Sequence, residues 1–266
     1  MNRKLLPSRL VACVSVCLCL VAPIGAQEIL NQVRGDRLRL GIVAEDNHPF
    51  VYRMAGEWTG YEIALAARIA DELNAELQIR PFGDVDQLRS ALLDDRIHLA
   101  FSKLFRSLSH AEIAMQSSPV GVLKLTLVVN RTAYSRLRTK GDLIGDLEKG
   151  VVPVATVAEE AFIRGVTRRF PEAELSVIED YSGLWRAVET GEATAIALDE
   201  AAANRYFLEH PERGIGLRIH PLSTSVTVVA LLPWRDDFFA EWVDILIEGE
   251  GDPVGMQSLR PDYTID

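Results

Sequence analysis

The feature that most constrains the fold is an alternation of strand-like and helix-like stretches that begins at residue 38. Apolar residues within 63–73 recur at spacings of three and four, which is one face of an amphipathic helix. The order strand, helix, strand, helix, strand covers residues 38–43, 63–73, 77–79, 85–92 and 97–101. This order predicts a largely parallel sheet with helices packed on its faces.

A second unit of the same kind follows after residue 150. Its predicted strands and helices alternate over residues 151–155, 159–170, 175–178, 184–189, 193–198 and 200–208. Pro171 ends the first of these helices, because proline cannot continue a helix interior. The chain therefore contains two α/β units.

Two long β-rich runs, VLKLTLVVN at 122–130 and SVTVVALL at 225–232, flank the second unit. If they lie side by side, the chain leaves a first lobe along one run and returns along the other. The two runs would then form a hinge with a cleft between two lobes. Ligands of open α/β sheets sit at the carboxyl ends of the strands, so the cleft is the expected site. The alternative is two independent tandem domains.

The first 26 residues have the layout of a secretory signal peptide. Arg3, Lys4 and Arg9 precede an uncharged, mostly apolar run at 10–22, and a small residue, Ala26, suits cleavage before residue 27. The run is too short for a comfortable membrane span. The sequence therefore predicts a secreted, periplasmic protein.

Composition then excludes several kinds of chemistry for the mature chain. All three cysteines, Cys13, Cys17 and Cys19, lie in the predicted signal peptide, so no disulfide, thiolate metal site or cysteine nucleophile is expected. The five histidines lack metal-ligand spacing, and we expect no metal and no cofactor. The net charge of −10 becomes −13 after removal of three basic residues, which argues against a nucleic-acid partner.

Three stretches carry a resemblance to a known family. They are LRLGIVAEDNHPFVYRMAGEWTGYEIALAARIADEL at 38–73, LRSALLDDRIHL at 88–99 and YSGLWRAVETGEATAIALD at 181–199. Together they resemble the family-3 extracellular solute-binding proteins, periplasmic receptors that deliver amino acids and similar polar solutes to ABC importers. The resemblance implies an α/β, two-lobed periplasmic-binding-protein fold of the second type, with two crossover strands as the hinge. Its expected organisation is a signal peptide at 1–26, lobe 1 at 27–127 and 223–266, and lobe 2 at 128–222.

In lobe 2, the resemblance indicates two ligand-binding residues. Asp199 follows the strand AIAL and matches an aspartate that receives a ligand ammonium, although it could instead cap the next helix. Thr156 lies in VATVAE, a shortened version of a strand-to-helix loop whose hydroxyl and amides suit an anionic group. Contact with the ligand and a capping role both remain open for Thr156.

In lobe 1, the residues depart from the family pattern. The arginine that clamps a ligand carboxylate in amino-acid receptors falls on His110, and Arg106 lies four residues earlier. Arg106 is either a replacement clamp or a surface charge, and His110 is either a ligand residue or a rim residue. Ser102 is expected to line the cleft, as is Lys103, which replaces a normally small residue.

These features predict a monomeric, non-enzymatic receptor that captures a small polar solute and is recognised by the membrane permease of an ABC importer. One alternative is an enzyme resembling the cyclohexadienyl dehydratases of the same fold, with Glu159 as general acid. Another is a non-transport accessory or sensory binding protein, because the final helix and aromatic-basic ending common in the family are absent from the tail after Ile247.

Overall fold

The computed structural model of the protein describes residues 28–137, 139 and 141–251. The predicted signal peptide at 1–26 and the tail at 252–266 lie outside these residues. Within the described ranges, no helix is long and apolar enough to cross a membrane.

Within the part of the chain that the structure describes, nine strands form one curled sheet in the order β4-β1-β5-β11-β7-β10-β8-β9, with β6 paired to β11. Strands β2 and β3 form a separate hairpin. The strands are β1 (Arg37–Val43), β2 (Tyr52–Met54), β3 (Glu57–Thr59), β4 (Glu76–Phe82), β5 (Leu99–Phe105), β6 (Ala114–Gln116), β7 (Gly121–Asn130), β8 (Val154–Val157), β9 (Leu175–Ile178), β10 (Ala195–Asp199) and β11 (Leu217–Pro233).

The two predicted crossover strands lie side by side. β7 and β11 pair antiparallel from Asn130 opposite Leu217 to Gly121 opposite Val228, with a register shift between Pro221 and Ser225. Parallel pairs extend outwards on both sides: β1 with β4 and β5, and β8 with β9 and β10. The predicted two-lobed α/β fold is thereby confirmed, and independent tandem domains are excluded.

We call the part built on β1, β4 and β5 lobe 1, and the part built on β8, β9 and β10 lobe 2. The lobe boundaries at 127/128 and 222/223 remain a prediction, because β7 and β11 run through both parts. Helices cover the faces of both: α1 (Glu28–Val33), α2 (Tyr61–Glu72), α3 (Val85–Leu93), α4 (Leu108–Ala111), α5 (Arg131–Arg136), α6 (Leu143–Glu148), α7 (Glu160–Arg169), α8 (Tyr181–Thr190), α9 (Glu200–Glu209), α10 (Asp237–Gly249) and a 3-10 helix (Pro211–Ile215).

Aspartates set the start of many of these helices. Each accepts a hydrogen bond from a first-turn N–H group that has no partner inside the helix, which is the usual N-cap interaction. Among the described helices, five begin this way, at Asp84, Asp142, Asp180, Asp199 and Asp236. Most of these aspartates lie at or just after the end of a strand, and they fix where the chain turns into a helix.

Each lobe has its own apolar core on the sheet faces. In lobe 1, helices α2 and α10 bury Ile69 and Phe239 against one face of the sheet. In lobe 2, helices α7 and α8 bury Phe162 and Leu184 against strands that include β7. Because parallel strands are covered on both faces, their polar residues gather at the strand ends. The carboxyl ends of β5 in lobe 1 and β10 in lobe 2 meet between the lobes, and the cleft lies there.

Candidate functional site

A buried ion pair joins the two lobes at the carboxyl ends of their central strands. The Nζ atom of Lys103, near the end of β5, lies 3.2 Å from Oδ2 of Asp199, the last residue of β10. The Lys103 side chain is 7% exposed and the Asp199 side chain is 0% exposed. The pair therefore lies inside the closed cleft rather than on its rim.

The carboxylate of Asp199 has two tasks at once. Oδ1 accepts hydrogen bonds from the N–H groups of Ala201 and Ala202, each at 3.0 Å, and so caps helix α9. Oδ2 faces lobe 1 and meets Lys103. The two roles weighed from the sequence, a helix cap and a partner for a cation, thus fall on different oxygens of one side chain.

Lys103 has a backbone conformation that lysine rarely adopts. Its φ angle is +51°, in the left-handed region, which costs a residue with a Cβ about 1 kcal/mol. Its backbone N–H donates to Oε2 of Glu62 at 2.8 Å, and its ammonium also lies 5.8 Å from the Phe105 ring centroid. The local backbone is thus held by a carboxylate on α2 while the side chain crosses the cleft.

Glu62 is a functional candidate that our sequence reasoning missed. It is fully buried, and burial raises the pKa of its carboxyl to about 8 despite the opposing effects of the Lys103 N–H and charge. Its Oε1 has no hydrogen-bond partner among the described residues. The signal was present in the sequence, because Glu62 is four residues before Ala66 and seven before Ile69, on the buried face of α2.

Two further titratable groups come from lobe 2. Burial and the neighbouring carboxylates Asp199, Glu159 and Glu45 raise the pKa of Tyr181 well above its usual value, although the residue as a whole is 37% exposed. Burial is also the largest influence on half-buried Glu159, whose pKa rises to about 7. Tyr181 therefore stays protonated as a donor, and Glu159 exchanges a proton near neutral pH.

A cavity of about 540 Å³ opens between the lobes next to the ion pair. Residues 45–48 and Lys103 line it from lobe 1, and α8 and α9 line it from lobe 2. Trp185 and Tyr206 lie in the lobe 2 wall as parallel rings with centroids 3.6 Å apart. The size and the mixed polar and aromatic lining suit a small organic molecule.

Two of the sequence-predicted residues use their hydroxyls within their own lobe. Oγ of Ser102 accepts a hydrogen bond from the Val43 N–H at 3.1 Å, and Oγ1 of Thr156 donates to the Ala197 carbonyl at 2.8 Å. Both side chains are buried. They join neighbouring strands, β5 to β1 and β8 to β10, and so position Lys103 and Asp199.

The other two predicted residues lie away from the ion pair. His110 is buried in α4, with Nδ1 3.1 Å from the Phe105 carbonyl oxygen, and burial lowers its pKa. Arg106 is exposed and donates from Nη2 to the Ser117 carbonyl at 2.6 Å. It lines a separate groove with arginines of α7. The structure therefore brings together Lys103 and Asp199 of the predicted set, but not Arg106 or His110.

A second contact between the lobes lies beside the cleft. Glu160, the first residue of α7, accepts hydrogen bonds from the backbone N–H groups of Leu108 at 3.1 Å and Ser109 at 3.0 Å. These bonds lower the pKa of the Glu160 carboxyl to about 2. Both the Lys103–Asp199 ion pair and the Glu160 contact thus favour the closed arrangement of the lobes.

Among the described residues, no cluster of three or more acidic, histidine or cysteine side chains could hold a metal.

The geometry of two lobes closing on a shared cleft agrees with a family comparison. The sequence model of the bacterial extracellular solute-binding proteins, family 3, matches residues 38–229, more than half of the chain. The chain belongs to this family.

Two curated relatives of this family-3 chain have different described activities. Cyclohexadienyl dehydratase of Pseudomonas aeruginosa is 26% identical over 241 residues, covering 86% of this chain and 84% of the relative. Membrane-bound lytic murein transglycosylase F of Idiomarina loihiensis is 24% identical over 162 residues, covering 60% of this chain. That match spans only 35% of the transglycosylase.

Solved structures of the same fold include several amino-acid-binding proteins. An ancestral amino-acid-binding protein, described as a precursor of cyclohexadienyl dehydratase, aligns with a TM-score of 0.61 at 21% identity, over 84% of this chain and 91% of its own. The arginine-bound form of truncated ArgBP from T. maritima aligns with a TM-score of 0.60 at 20% identity, over 84% and 99%. At such identities the likeness shows the fold alone.

Proposed function

We propose that this protein captures a small polar solute, an amino acid or a related compound, between its two lobes. The observation that carries the proposal is the meeting of Lys103 and Asp199 from opposite lobes beside a solute-sized cavity. A solute that contacts both walls stabilises the closed form relative to the open one. Family membership and the amino-acid-binding neighbours support this choice.

The setting we propose is the periplasm, with delivery to the permease of an ABC importer. The basic, apolar and small-residue segments of 1–26 support secretion, and the family is described as extracellular. The ligand-binding residues that we propose are Asp199 and Lys103 at the centre, with Ser102 and Thr156 holding their strands. Arg106 and His110 are proposed only as rim residues, since their contacts lie outside the ion-pair region.

Mass spectrometry of small molecules that co-purify with protein from its native compartment tests solute capture. We expect one dominant polar solute. When it is added to the emptied protein, it should raise the melting temperature, and calorimetry should detect its binding. An emptied protein whose melting temperature no polar solute changes, while another protein co-purifies with it, would instead indicate an accessory role.

One observation favours a second candidate, an enzyme resembling the cyclohexadienyl dehydratases. Glu159 is a half-buried carboxyl at the cleft with a pKa of about 7, which is suited to proton donation at neutral pH. The dehydratase of P. aeruginosa matches 86% of this chain. In this candidate, Glu159 would donate a proton to the hydroxyl of prephenate or arogenate, which leaves as water while the ring carboxylate leaves as CO2 and its bonding electrons complete the aromatic ring.

Incubation of the protein with prephenate, followed by detection of phenylpyruvate, tests the enzyme candidate. Acidic prephenate solutions decompose by themselves, so the assay needs a protein-free sample at the same pH. Turnover that Glu159→Gln abolishes and Glu174→Gln leaves intact would support it, because Glu174 is exposed on the same lobe. If phenylpyruvate forms no faster than in the protein-free sample, the enzyme candidate is rejected.

A further inference from the structure

The buried carboxylate of Asp199 already has a cation. A carboxylate with no exposed surface needs a positive partner, since an unpaired buried charge is strongly unfavourable. Here the protein itself supplies the positive partner: Nζ of Lys103, from lobe 1, lies 3.2 Å from Oδ2 of Asp199. A solute with its own ammonium group would have to compete with Lys103 for Oδ2 of Asp199, because Oδ1 already accepts two N–H groups of α9.

The backbone at Lys103 makes this arrangement more specific. A φ angle of +51° suits glycine, and a lysine there is strained. The whole residue is only 8% exposed, and its side chain extends towards Asp199 of the opposite lobe. Strain at a residue that faces a cleft indicates a role in the site rather than in the core.

The same ammonium leaves hydrogen-bonding capacity for a solute. It has three N–H groups, and one pairs with Asp199, while no other hydrogen bond from Nζ is formed with the described residues. Lys103 also lines the cavity of about 540 Å³, together with Tyr181. Both residues can donate to oxygen atoms of a solute. The cleft thus offers donors and a satisfied carboxylate, which favours a ligand rich in acceptor oxygens.

The acidic side chains around the ion pair do not oppose such a ligand as strongly as their number indicates. Burial raises the pKa of Glu62 to about 8 and that of Glu159 to about 7, so both hold protons for part of the time at neutral pH. Asp199 is neutralised by Lys103. Lys103 and Arg186 supply positive charge to the cavity wall, which also contains the carboxylates Glu45 and Asp46.

We infer that Lys103 fills the place where a cationic group would meet Asp199, so the captured solute is a small carboxylic acid without an amino group, such as a 2-oxo or 2-hydroxy acid. This inference rests on the solute capture proposed above and makes Lys103 the residue that selects against amino acids. It narrows the solute class from the amino acids and related polar compounds proposed above to organic acids that lack an amino group.

Matched pairs of compounds test the inference on the unaltered protein. Pyruvate and L-alanine, 2-oxoglutarate and L-glutamate, and phenylpyruvate and L-phenylalanine differ only in a carbonyl or ammonium group at one carbon. We expect at least one oxo acid to raise the melting temperature and to bind in calorimetry roughly 30-fold or more tightly than its amino partner. Tighter binding of the amino partner would overturn the inference while leaving solute capture intact.

Lys103→Gly supplies the complementary test, because glycine tolerates the positive φ angle and frees Asp199. The variant should lose affinity for the oxo acid and gain at least tenfold for the amino partner, while Lys103→Arg should keep the wild-type preference. An unchanged preference in Lys103→Gly contradicts the role of Lys103. Absence of binding by every compound, to wild type and variant alike, counts against both solute capture and the inference.

Discussion

The Lys103 ammonium and the Asp199 carboxylate, 96 positions apart in sequence, form an ion pair of 3.2 Å between the two lobes. Neither side chain is more than 7% exposed. A buried pair of this kind costs desolvation when it forms, so its importance appears mainly when one partner is removed.

Removal of one partner should destabilise the protein more than removal of both. We expect Lys103→Met to lower the free energy of unfolding by about 3–5 kcal/mol, because Asp199 is left buried without a cation. The double variant Lys103→Met/Asp199→Asn should recover most of this loss, since asparagine still caps α9. Urea unfolding monitored by circular dichroism measures both.

An exposed ion pair provides the control for this experiment. Arg37 and Glu76 lie 3.5 Å apart with side chains 59% and 74% exposed. Arg37→Met should change the free energy of unfolding by less than about 1 kcal/mol. Equal losses of stability in Lys103→Met and Arg37→Met would show that breaking the buried pair costs no more than breaking an exposed one.

Glu62 should make stability fall with rising pH. Its pKa is raised from 4.5 to about 8, so the folded protein holds a proton that the unfolded chain has lost between these values. The stabilisation is fully present below pH 4.5 and is lost as pH rises through 8. In Glu62→Gln, the slope of unfolding free energy against pH should change by up to about 1.4 kcal/mol per pH unit in this window.

Urea unfolding at intervals from pH 5 to pH 9 measures this slope. Glu57→Gln is the matched control, because Glu57 is exposed on the hairpin of the same lobe. Equal slopes for wild type and Glu62→Gln would show that Glu62 is not protonated in the folded protein.

Gly60 should not accept a side chain, because it sets the start of α2 and hence the place of Glu62. Its φ angle is +117°, and an added Cβ would lie 2.3 Å from the carbonyl oxygen of Phe50. Gly60→Ala should lose roughly 3 kcal/mol of stability or more, combining strain and collision with backbone. Thermal and urea unfolding measure the loss.

The hairpin supplies a glycine that separates these two causes. Gly56 has a φ angle of +91° but no atom within 4 Å of an added Cβ. Gly56→Ala should lose only about 1 kcal/mol, from conformation alone. A loss at Gly60 no larger than that at Gly56 would argue against the collision with Phe50.

Glu160 should help to keep the lobes together. Its carboxylate accepts the N–H groups of Leu108 and Ser109 from the opposite lobe, so Glu160→Ala should shift the protein towards the open form. Small-angle X-ray scattering should then show a larger radius of gyration. Glu174→Ala, exposed on lobe 2, should scatter like the wild type.

The same contact gives an expected dependence on pH in the wild type. The hydrogen bonds lower the pKa of Glu160 from 4.5 to about 2, so the contribution is present above pH 4.5 and is lost as pH falls through 2. The radius of gyration should change less between pH 7 and pH 3 than between pH 7 and pH 2, because the Glu160 carboxylate is protonated only near pH 2. A constant radius of gyration in both comparisons contradicts the bridge.

The fold was predictable because each lobe repeats a pattern with clear periodicity. Apolar runs and amphipathic spacing located β1, α2, β9 and α9 to within about two residues. β5 was longer than the apolar run at 97–101, since polar Ser102 and Lys103 continue the strand to Phe105. A buried polar pair at a strand end is invisible to a pattern based on apolar residues.

The site was less predictable, because its key relationships are long-range. The sequence singled out Lys103 and Asp199 separately, but their pairing depends on two strands from different lobes. Glu62 was passed over, although a carboxylate on the apolar face of α2 was a detectable signal. The directions of Arg106 and of the Thr156 hydroxyl depend on local hydrogen bonds that no spacing rule contains.

The position of β11 has a consequence for biosynthesis. This strand, the last of the sheet in chain order, inserts between β5 and β7, which were made long before it. During synthesis, β5 and β7 therefore each keep one unpaired edge until β11, which ends at Pro233, has been made. A partner that covers this edge until β11 has formed would protect the chain from pairing with strands of other chains.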